Sequence, residues 1–256
     1  MAMESAVGVG YQNWMSFILS RAAGLAGLIS VTMTMLLAGV VPANAAKGVA
    51  CHVERPSTPD AALKALIDGN LRWANDAQEY QRQDKEHRKC VAEKGQTPFA
   101  AVLSCSDSRV PSELIFDQGV GDLFVVRNAG NSTDELVVQS LAYSVEVLGV
   151  EIVVVLGHQL CGAVTGAVEQ YPKPAPLFLT KIYDAVKAAK GILGAKAENK
   201  DALVTDSIDQ HAILEAKALE KTAPFDKFVQ SGKLRIVAGR YDLDSGRVVF
   251  LGDAAR

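Results

Sequence analysis

FAAVLSCSDSRV, residues 99–110, joins an apolar run to a polar one. The first half, 99–104, is typical of a strand that is covered on both faces, as in a parallel sheet. The second half places a thiol, a carboxylate and a guanidinium at every second residue, at Cys105, Asp107 and Arg109. We expect the chain to remain extended here, which would put Cys105 and Asp107 on one face with Arg109 beside Asp107.

Apolar runs and helical patterns alternate along the rest of the chain. Further strands are predicted at 123–126, 152–156, 234–238 and 247–251. The last two are separated by a turn sequence, which indicates a hairpin or paired edge strands. A helix capped by Thr58 should precede the first strand, and a capping box with Ser132 at the cap should open another. This alternation predicts an α/β fold with a mostly parallel central β-sheet flanked by helices.

Length and charge limit the function. The chain has 256 residues, which is enough for one domain with its own core. Its formal net charge is −3, with acids and bases interspersed. Nucleic acid is therefore not expected as a partner, because phosphate binding needs a basic face. A small-molecule substrate fits better.

The N-terminus carries a targeting pattern. Residues 22–41 hold no charge, Arg21 precedes them, and an A-x-A site ends at Ala45. This predicts an export signal, cut after Ala45, followed by a single domain at 46–256. The run is also long enough to span a bilayer, so retention of 22–41 as a membrane anchor stays open. The predicted location is periplasmic or extracellular, and a plastid or thylakoid lumen is the alternative.

Export would place the four cysteines in an oxidising compartment. Cys51 and Cys90 lie in polar, loop-like sequence. They are either free surface thiols or paired with each other, and the sequence leaves both readings open.

A second polar motif, GHQLCG at 157–162, follows the strand predicted at 152–156. If a helix begins here, His158 and Cys161 face one side, a turn apart. Ligand sites form at the carboxyl ends of strands in open α/β sheets, so this motif and Cys105 should meet. A lone buried cysteine usually only packs. Two thiolates and one imidazole together are a recognised catalytic set for Zn²⁺, with a position left for water.

Asp107 is a fourth candidate ligand, but the guanidinium of Arg109 is placed to bind its carboxylate. A carboxylate held by a guanidinium keeps a low pKa and could accept a hydrogen bond from zinc-bound hydroxide instead.

These motifs resemble the β-class carbonic anhydrases. The resemblance covers about 59–251 and includes CSDSRV, GDLFVVRNAGN at 121–131, GHQLCG and GRYDL at 239–243. It implies reversible hydration of CO₂ to bicarbonate and a proton, by attack of zinc-bound hydroxide, with one zinc per chain. It implies Cys105, His158 and Cys161 as zinc ligands and Asp107 with Arg109 as the catalytic dyad. The positions that line the CO₂ pocket in the plant-like branch are matched by Gln96, Phe124, Tyr143 and Gly162.

Two positions refine the resemblance. Val102 stands where the allosteric branch carries Trp, so the chain looks like the branch with an open, water-bearing zinc. Ala129 stands where a larger Val is common, which implies a roomier pocket. The family assembles as dimers or larger oligomers with the pocket at a subunit interface. We therefore expect a homodimer or higher homo-oligomer in which some pocket residues serve the neighbouring subunit.

Two other functions compete with this prediction. A related zinc hydrolase acting on CS₂ or COS could use the same residues. A non-catalytic zinc or thiol-redox protein would pair Cys105 with Cys161 and leave Asp107 and Arg109 without a purpose. No proton shuttle is assigned, since His52, His87 and His211 are candidates by composition alone.

Overall fold

The computed structural model describes residues 55–252. The predicted export signal and Cys51 lie outside this range, so cleavage after Ala45 stays a prediction, and both readings of Cys51 and Cys90, free or paired, stay open. Among residues 55–252, no helix is both long and apolar enough to cross a bilayer.

Within the described part of the chain, the centre of the fold is a sheet of five strands in the order β2-β1-β3-β4-β5. Four strands are parallel, and β5 runs antiparallel to β4 at one edge. The strands are β1 Ala100–Cys105, β2 Leu123–Asn128, β3 Ile152–His158, β4 Arg235–Tyr241 and β5 Val248–Leu251. The predicted fold class and the pairing of the last two strands are confirmed.

Helices cover both faces of the sheet. In chain order they are α1 Pro59–Ala74, α2 Lys85–Lys94, α3 Ser112–Ile115, α4 Glu135–Glu146, α5 Gly162–Gln170, α6 Leu177–Thr180, α7 Tyr183–Leu193, α8 Lys200–Glu220 and α9 Phe225–Gln230. A short 3₁₀ turn, Gly194–Glu198, joins α7 to α8.

Alternate residues of the central strands pack into two separate hydrophobic cores, one on each face of the sheet. Ala101 and Leu103 of β1 pack with α4, α8 and α9, whereas Ala100 and Val102 pack with α1 and α3. Every residue of β1 and β3 is buried. This two-sided burial explains why both strands read as continuous apolar runs.

The helix starts follow capping chemistry, with one correction. The Oγ1 of Thr58 accepts from the amide of Ala61, as predicted. The predicted cap at Ser132 is wrong: α4 begins at Glu135, and the carboxylate of Asp134 caps it by accepting from Val137. Ser132 is occupied elsewhere, since its hydroxyl lies 3.2 Å from a ring nitrogen of His211.

The topology places a site at the carboxyl edge of the sheet. From β1 the chain passes to β2 on one side and later to β3 on the other, so the direction of winding reverses between β1 and β3. Ligand sites in open α/β sheets form at such a switch point. Cys105 ends β1 and His158 ends β3, which brings both to this crevice.

Candidate metal centre

Three predicted ligands come together at the switch point. The Sγ atoms of Cys105 and Cys161 and a ring nitrogen of His158 all lie within 4.8 Å of one another. All three residues are buried, and His158 has no exposed surface. Cys161 caps the start of α5.

The turn between His158 and Cys161 differs from the prediction. No helical turn joins them, because α5 begins only at Gly162. Instead Leu160 takes a left-handed conformation with φ at +55° and reverses the chain. A non-glycine residue rarely adopts this conformation, which costs on the order of 1–3 kcal/mol and persists only when the surroundings impose it.

The side chain of Gln159 ties this turn to the sheet edge. Its Oε1 accepts from the amide of Leu243, and its Nε2 donates to Asp244. The imidazole of His158 is fixed as well, because its Nδ1 lies 2.9 Å from the carbonyl oxygen of Gln159. A carbonyl can only accept, so Nδ1 carries a proton, which leaves Nε2 as the ring atom available to bind a metal.

That Nε2 is buried and has no hydrogen-bond partner among residues 55–252. An unpaired buried polar atom costs on the order of 1–3 kcal/mol, so its retention calls for a ligand. The two sulfurs beside it interact with each other. The contact with Cys161 lowers the pKa of Cys105, and the same contact raises the pKa of Cys161.

Two sulfurs thus lie next to a buried ring nitrogen without a partner among the described residues. A divalent cation that accepts sulfur and nitrogen ligands can use all three donors at once. The residues therefore fit a zinc ion by their own chemistry.

Asp107 and Arg109 lie beside the centre as a pair. The guanidinium of Arg109 donates from Nε to Oδ1 at 2.9 Å and from Nη2 to Oδ2 at 2.8 Å. These hydrogen bonds hold the pKa of Asp107 well below its usual range. The same Nη2 lies 3.3 Å from the carbonyl oxygen of Leu160, which links the two motifs. Oδ2 of Asp107 is 3.8 Å from Nε2 of His158.

The local backbone corrects the expected extended conformation at 105–109. β1 ends at Cys105, and the chain turns so that the amide of Val110 donates to the carbonyl of Asp107 at 3.0 Å. Arg109 reaches Asp107 through this turn and not through alternation along a strand. The predicted pairing is right, but the conformation predicted for it is wrong.

Sequence reasoning missed Arg127. Its guanidinium donates to the carbonyl oxygens of Cys105 at 3.0 Å and of Asp107 at 2.7 Å. It thereby holds the backbone on both sides of the turn. The sequence could have indicated Arg127, because it is a charged residue near the carboxyl end of an otherwise apolar strand. A side chain in that position lies beside the site.

The four predicted pocket residues do not all meet the metal centre of their own chain. Gly162 follows Cys161 directly, and a Cβ placed on it would meet no atom within 4 Å. Phe124 pairs with Ala101 in the sheet, four residues before Asn128, which pairs with Cys105. At about 3.3 Å per residue this places Phe124 roughly 13 Å back from the carboxyl edge. Tyr143 packs on it, with ring centroids 6.1 Å apart.

Gln96 lies further back still. It is exposed and precedes the start of β1 at Ala100, the opposite end of the strand from Cys105.

The fold and this cluster define an α/β metalloenzyme with a catalytic type of zinc site. A family model for carbonic anhydrase matches residues 100–248. Carbonic anhydrase 2 of Mycobacterium tuberculosis is 38% identical over 198 residues, which cover 76% of this chain and 94% of that protein. The carbonic anhydrase of Pseudomonas aeruginosa is 34% identical over 203 residues, 76% of this chain and 90% of that protein.

Comparison with solved structures leads to the same family. The β-carbonic anhydrase CafA of Aspergillus fumigatus has a TM-score of 0.58 and 26% identity, over 75% of this chain and 91% of that one. A tetrameric β-carbonic anhydrase of Sordaria macrospora shares the fold, with a TM-score of 0.57 and 24% identity over 73% and 94%. The chain therefore belongs to the β-class carbonic anhydrase family, whose members are zinc enzymes. This confirms the predicted reaction, zinc-dependent reversible hydration of carbon dioxide.

Proposed function

We propose that one Zn²⁺ per chain binds Cys105, His158 and Cys161, and that CO₂ is hydrated to bicarbonate and a proton beside it. The buried, unpaired Nε2 of His158 between two sulfurs carries this proposal. When bound, zinc supplies Lewis-acid chemistry that makes hydroxide available from water near neutral pH.

Asp107 orients the attacking oxygen. Its carboxylate accepts a hydrogen bond from that oxygen, because an ionised carboxylate can only accept. This fixes the oxygen lone pair that attacks carbon. Arg109 keeps Asp107 ionised and holds both carboxylate oxygens in place.

The same pair favours an open site, in which Asp107 is not a ligand. Both oxygens of Asp107 already accept from Arg109, and the group of mutually close donor atoms contains Cys105, His158 and Cys161 without it. Val102 supports the same plant-like, open branch by the resemblance. Leaving Arg109 would cost Asp107 two charge-assisted hydrogen bonds.

A second copy of the chain completes the CO₂ pocket, in a homodimer or a larger homo-oligomer. Gln96, Phe124 and Tyr143 lie away from the metal centre of their own subunit, so they serve the neighbouring one, while Gly162 lines the pocket from its own side. The surface that carries them is suited to association. Exposed apolar side chains stand on α4 and at its C-terminal cap: Leu136 is 74%, Tyr143 43% and the cap residue Val147 64% exposed. β2 is an edge strand of the sheet beside them.

The enzyme is exported, and 1–45 is its signal. This proposal stands on the uncharged run 22–41 and the A-x-A site alone. It gives a periplasmic or extracellular carbonic anhydrase.

Stopped-flow CO₂ hydration, with the zinc content of the same sample determined, tests the proposal. Rapid hydration by a protein with one zinc per chain is expected, and the rate should rise with pH because two thiolates offset the charge of the metal. CS₂ and COS are assayed alongside. Turnover of either in preference to CO₂ would contradict the proposed substrate, and a zinc-free active protein would contradict the metal centre.

A further inference from the structure

A buried histidine lies behind the metal centre and is not used by the proposed chemistry. His211 of α8 is only 2% exposed. Its Nε2 lies 2.8 Å from the carbonyl oxygen of Gly130 and 3.2 Å from the hydroxyl of Ser132. Both partners belong to the loop that leaves β2 beside Cys105.

The protonation of this ring follows from its surroundings. Burial lowers the pKa of His211, so the ring is neutral. The carbonyl of Gly130 can only accept, so the proton is on Nε2. The Nδ1 atom faces Glu215, at 3.8 Å from its Oε1, which is beyond hydrogen-bond distance.

Glu215 holds the other end of the same loop. Its Oε2 accepts from the amide of Thr133 at 2.8 Å and also from the hydroxyl of Thr133. His211 and Glu215 are one helical turn apart on α8, so a single rigid helix anchors the loop at both Gly130 and Thr133.

The anchored loop reaches a predicted metal ligand. The amide nitrogen of Gly130 lies 3.4 Å from Sγ of Cys105 and donates to it. Gly130 has φ at +81°, and a Cβ on it would lie 3.0 Å from Ile182 and 3.1 Å from Ala163. The carbonyl of Gly130 is therefore held by His211 while its amide serves the sulfur, with no side chain in the way.

We propose that His211 is a positioning residue for the metal centre: it fixes Gly130 so that the amide of Gly130 stays directed at the sulfur of Cys105. An N–H donor draws electron density from a thiolate and sets how strongly it binds a metal. The inference rests on the proposed role of Cys105 as a ligand. It also removes His211 from the proton-shuttle candidates, because a ring that is only 2% exposed and held by Gly130 is not placed to exchange protons with solvent.

The test replaces zinc with Co²⁺, whose charge-transfer band from thiolate reports the state of the sulfur. In His211→Leu the loop is released, and the sulfur of Cys105 loses the amide of Gly130 as its hydrogen-bond donor. This raises the energy of the sulfur lone pairs, so the band should move to longer wavelength. The metal affinity of this variant, measured by competition with a chelator, should fall roughly 10- to 100-fold, because Cys105 loses the contact that orients its sulfur. His211→Gln keeps a side-chain N–H that can donate to the carbonyl of Gly130. Its band position and metal affinity should therefore match those of the wild type.

Leu219→Ala is the matched control. Leu219 is buried on the same helix, two turns beyond His211, and packs in the core with α9. This variant loses stability but should keep the wild-type band and affinity. A folded His211→Leu with the wild-type band and affinity overturns the inference. A band that moves equally in Leu219→Ala overturns it too, since the shift would then report general loosening.

Two further results are informative. If His211→Leu does not fold, His211→Asn takes its place, because the shorter amide stops short of the position from which Nε2 meets the carbonyl of Gly130. An unchanged band and affinity in that variant overturn the inference. If the wild type itself shows no thiolate-to-cobalt band, the proposed metal centre fails, and with it the role of His211.

Discussion

Arg109 holds Asp107 by both carboxylate oxygens, at 2.9 and 2.8 Å, and donates its backbone amide to Oδ1 as well. These hydrogen bonds explain why the carboxylate of Asp107 lies 3.8 Å from the imidazole of His158 but is not one of the three mutually close donors in the metal centre. It separates the group that orients the attacking oxygen from the groups that hold the metal. The predictions below follow from that division of roles and from the packing around it.

Asp107→Asn should retain zinc but hydrate CO₂ on the order of 100-fold more slowly or worse, by analogy with the loss of a positioned proton acceptor. An amide also presents donors where only an acceptor is wanted. Because Arg109 holds the pKa of Asp107 well below its usual range, Asp107 stays ionised from pH 6 to 9. The ratio of the wild-type rate to the variant rate should therefore be the same across that range. A ratio that falls on the acid side would mean that Asp107 titrates there, contrary to this assignment.

His158→Ala should lose both zinc and activity, because the remaining two thiols do not complete a catalytic zinc site. His87→Gln is the control: it removes another histidine, one whose Nε2 contacts the carbonyl of Val120 on the far side of the fold. Metal analysis after gel filtration checks both variants. Full activity in a zinc-free His158→Ala would refute the metal centre.

Mixing two inactive variants should restore activity if the pocket crosses between subunits. In a dimer of one Asp107→Asn chain and one Gln96→Ala chain, one site carries both changes and the other carries neither. After unfolding and refolding together, random pairing should return roughly a quarter of the wild-type rate, since half of the dimers are mixed and each has one intact site. If Gln96 instead serves its own subunit, each site keeps one defect and the mixture stays inactive.

Two glycines inside helices should respond oppositely to alanine. A Cβ on Gly69 of α1 would collide with the carbonyl oxygen of Phe116, so Gly69→Ala should lower the free energy of unfolding by about 1–3 kcal/mol. A Cβ on Gly191 of α7 meets nothing within 4 Å, so Gly191→Ala should raise it by about 0.5–1 kcal/mol. Urea unfolding measures both. Equal effects would show that the contact between α1 and α3 is looser than the distances indicate.

Expression of the whole chain with its N-terminus intact tests the export signal. The mature protein should begin at Ala46 and be recovered outside the cytoplasm, because a signal peptidase recognises the A-x-A site. Intact mass and N-terminal sequencing of the fractionated protein decide this. A full-length chain in the membrane fraction would favour the anchor, and a full-length cytoplasmic chain would refute export.

The sequence alone determined the strands of the sheet and the types of side chain in the site. Continuous apolar runs indicate strands buried on both faces, and β1 and β3 are such strands because helices cover them on both sides. The positions of Cys105 and His158 at strand ends follow from those runs. Local patterns carry this information because side-chain periodicity and burial act over a few residues.

The tertiary structure decided how those residues meet. The turn through Leu160, the turn after Asp107 and the displaced cap at Asp134 were not predicted. Hydrogen bonds from residues distant in the chain hold these segments, at Leu160, at Asp107 and at Ser132 and Thr133. The roles of Arg127 and His211 were missed for the same reason. His211 lies 81 residues from Gly130 in the chain, and no local periodicity records a hydrogen bond across that separation. The sequence determines which donors are present, whereas only packing decides which atom each one faces.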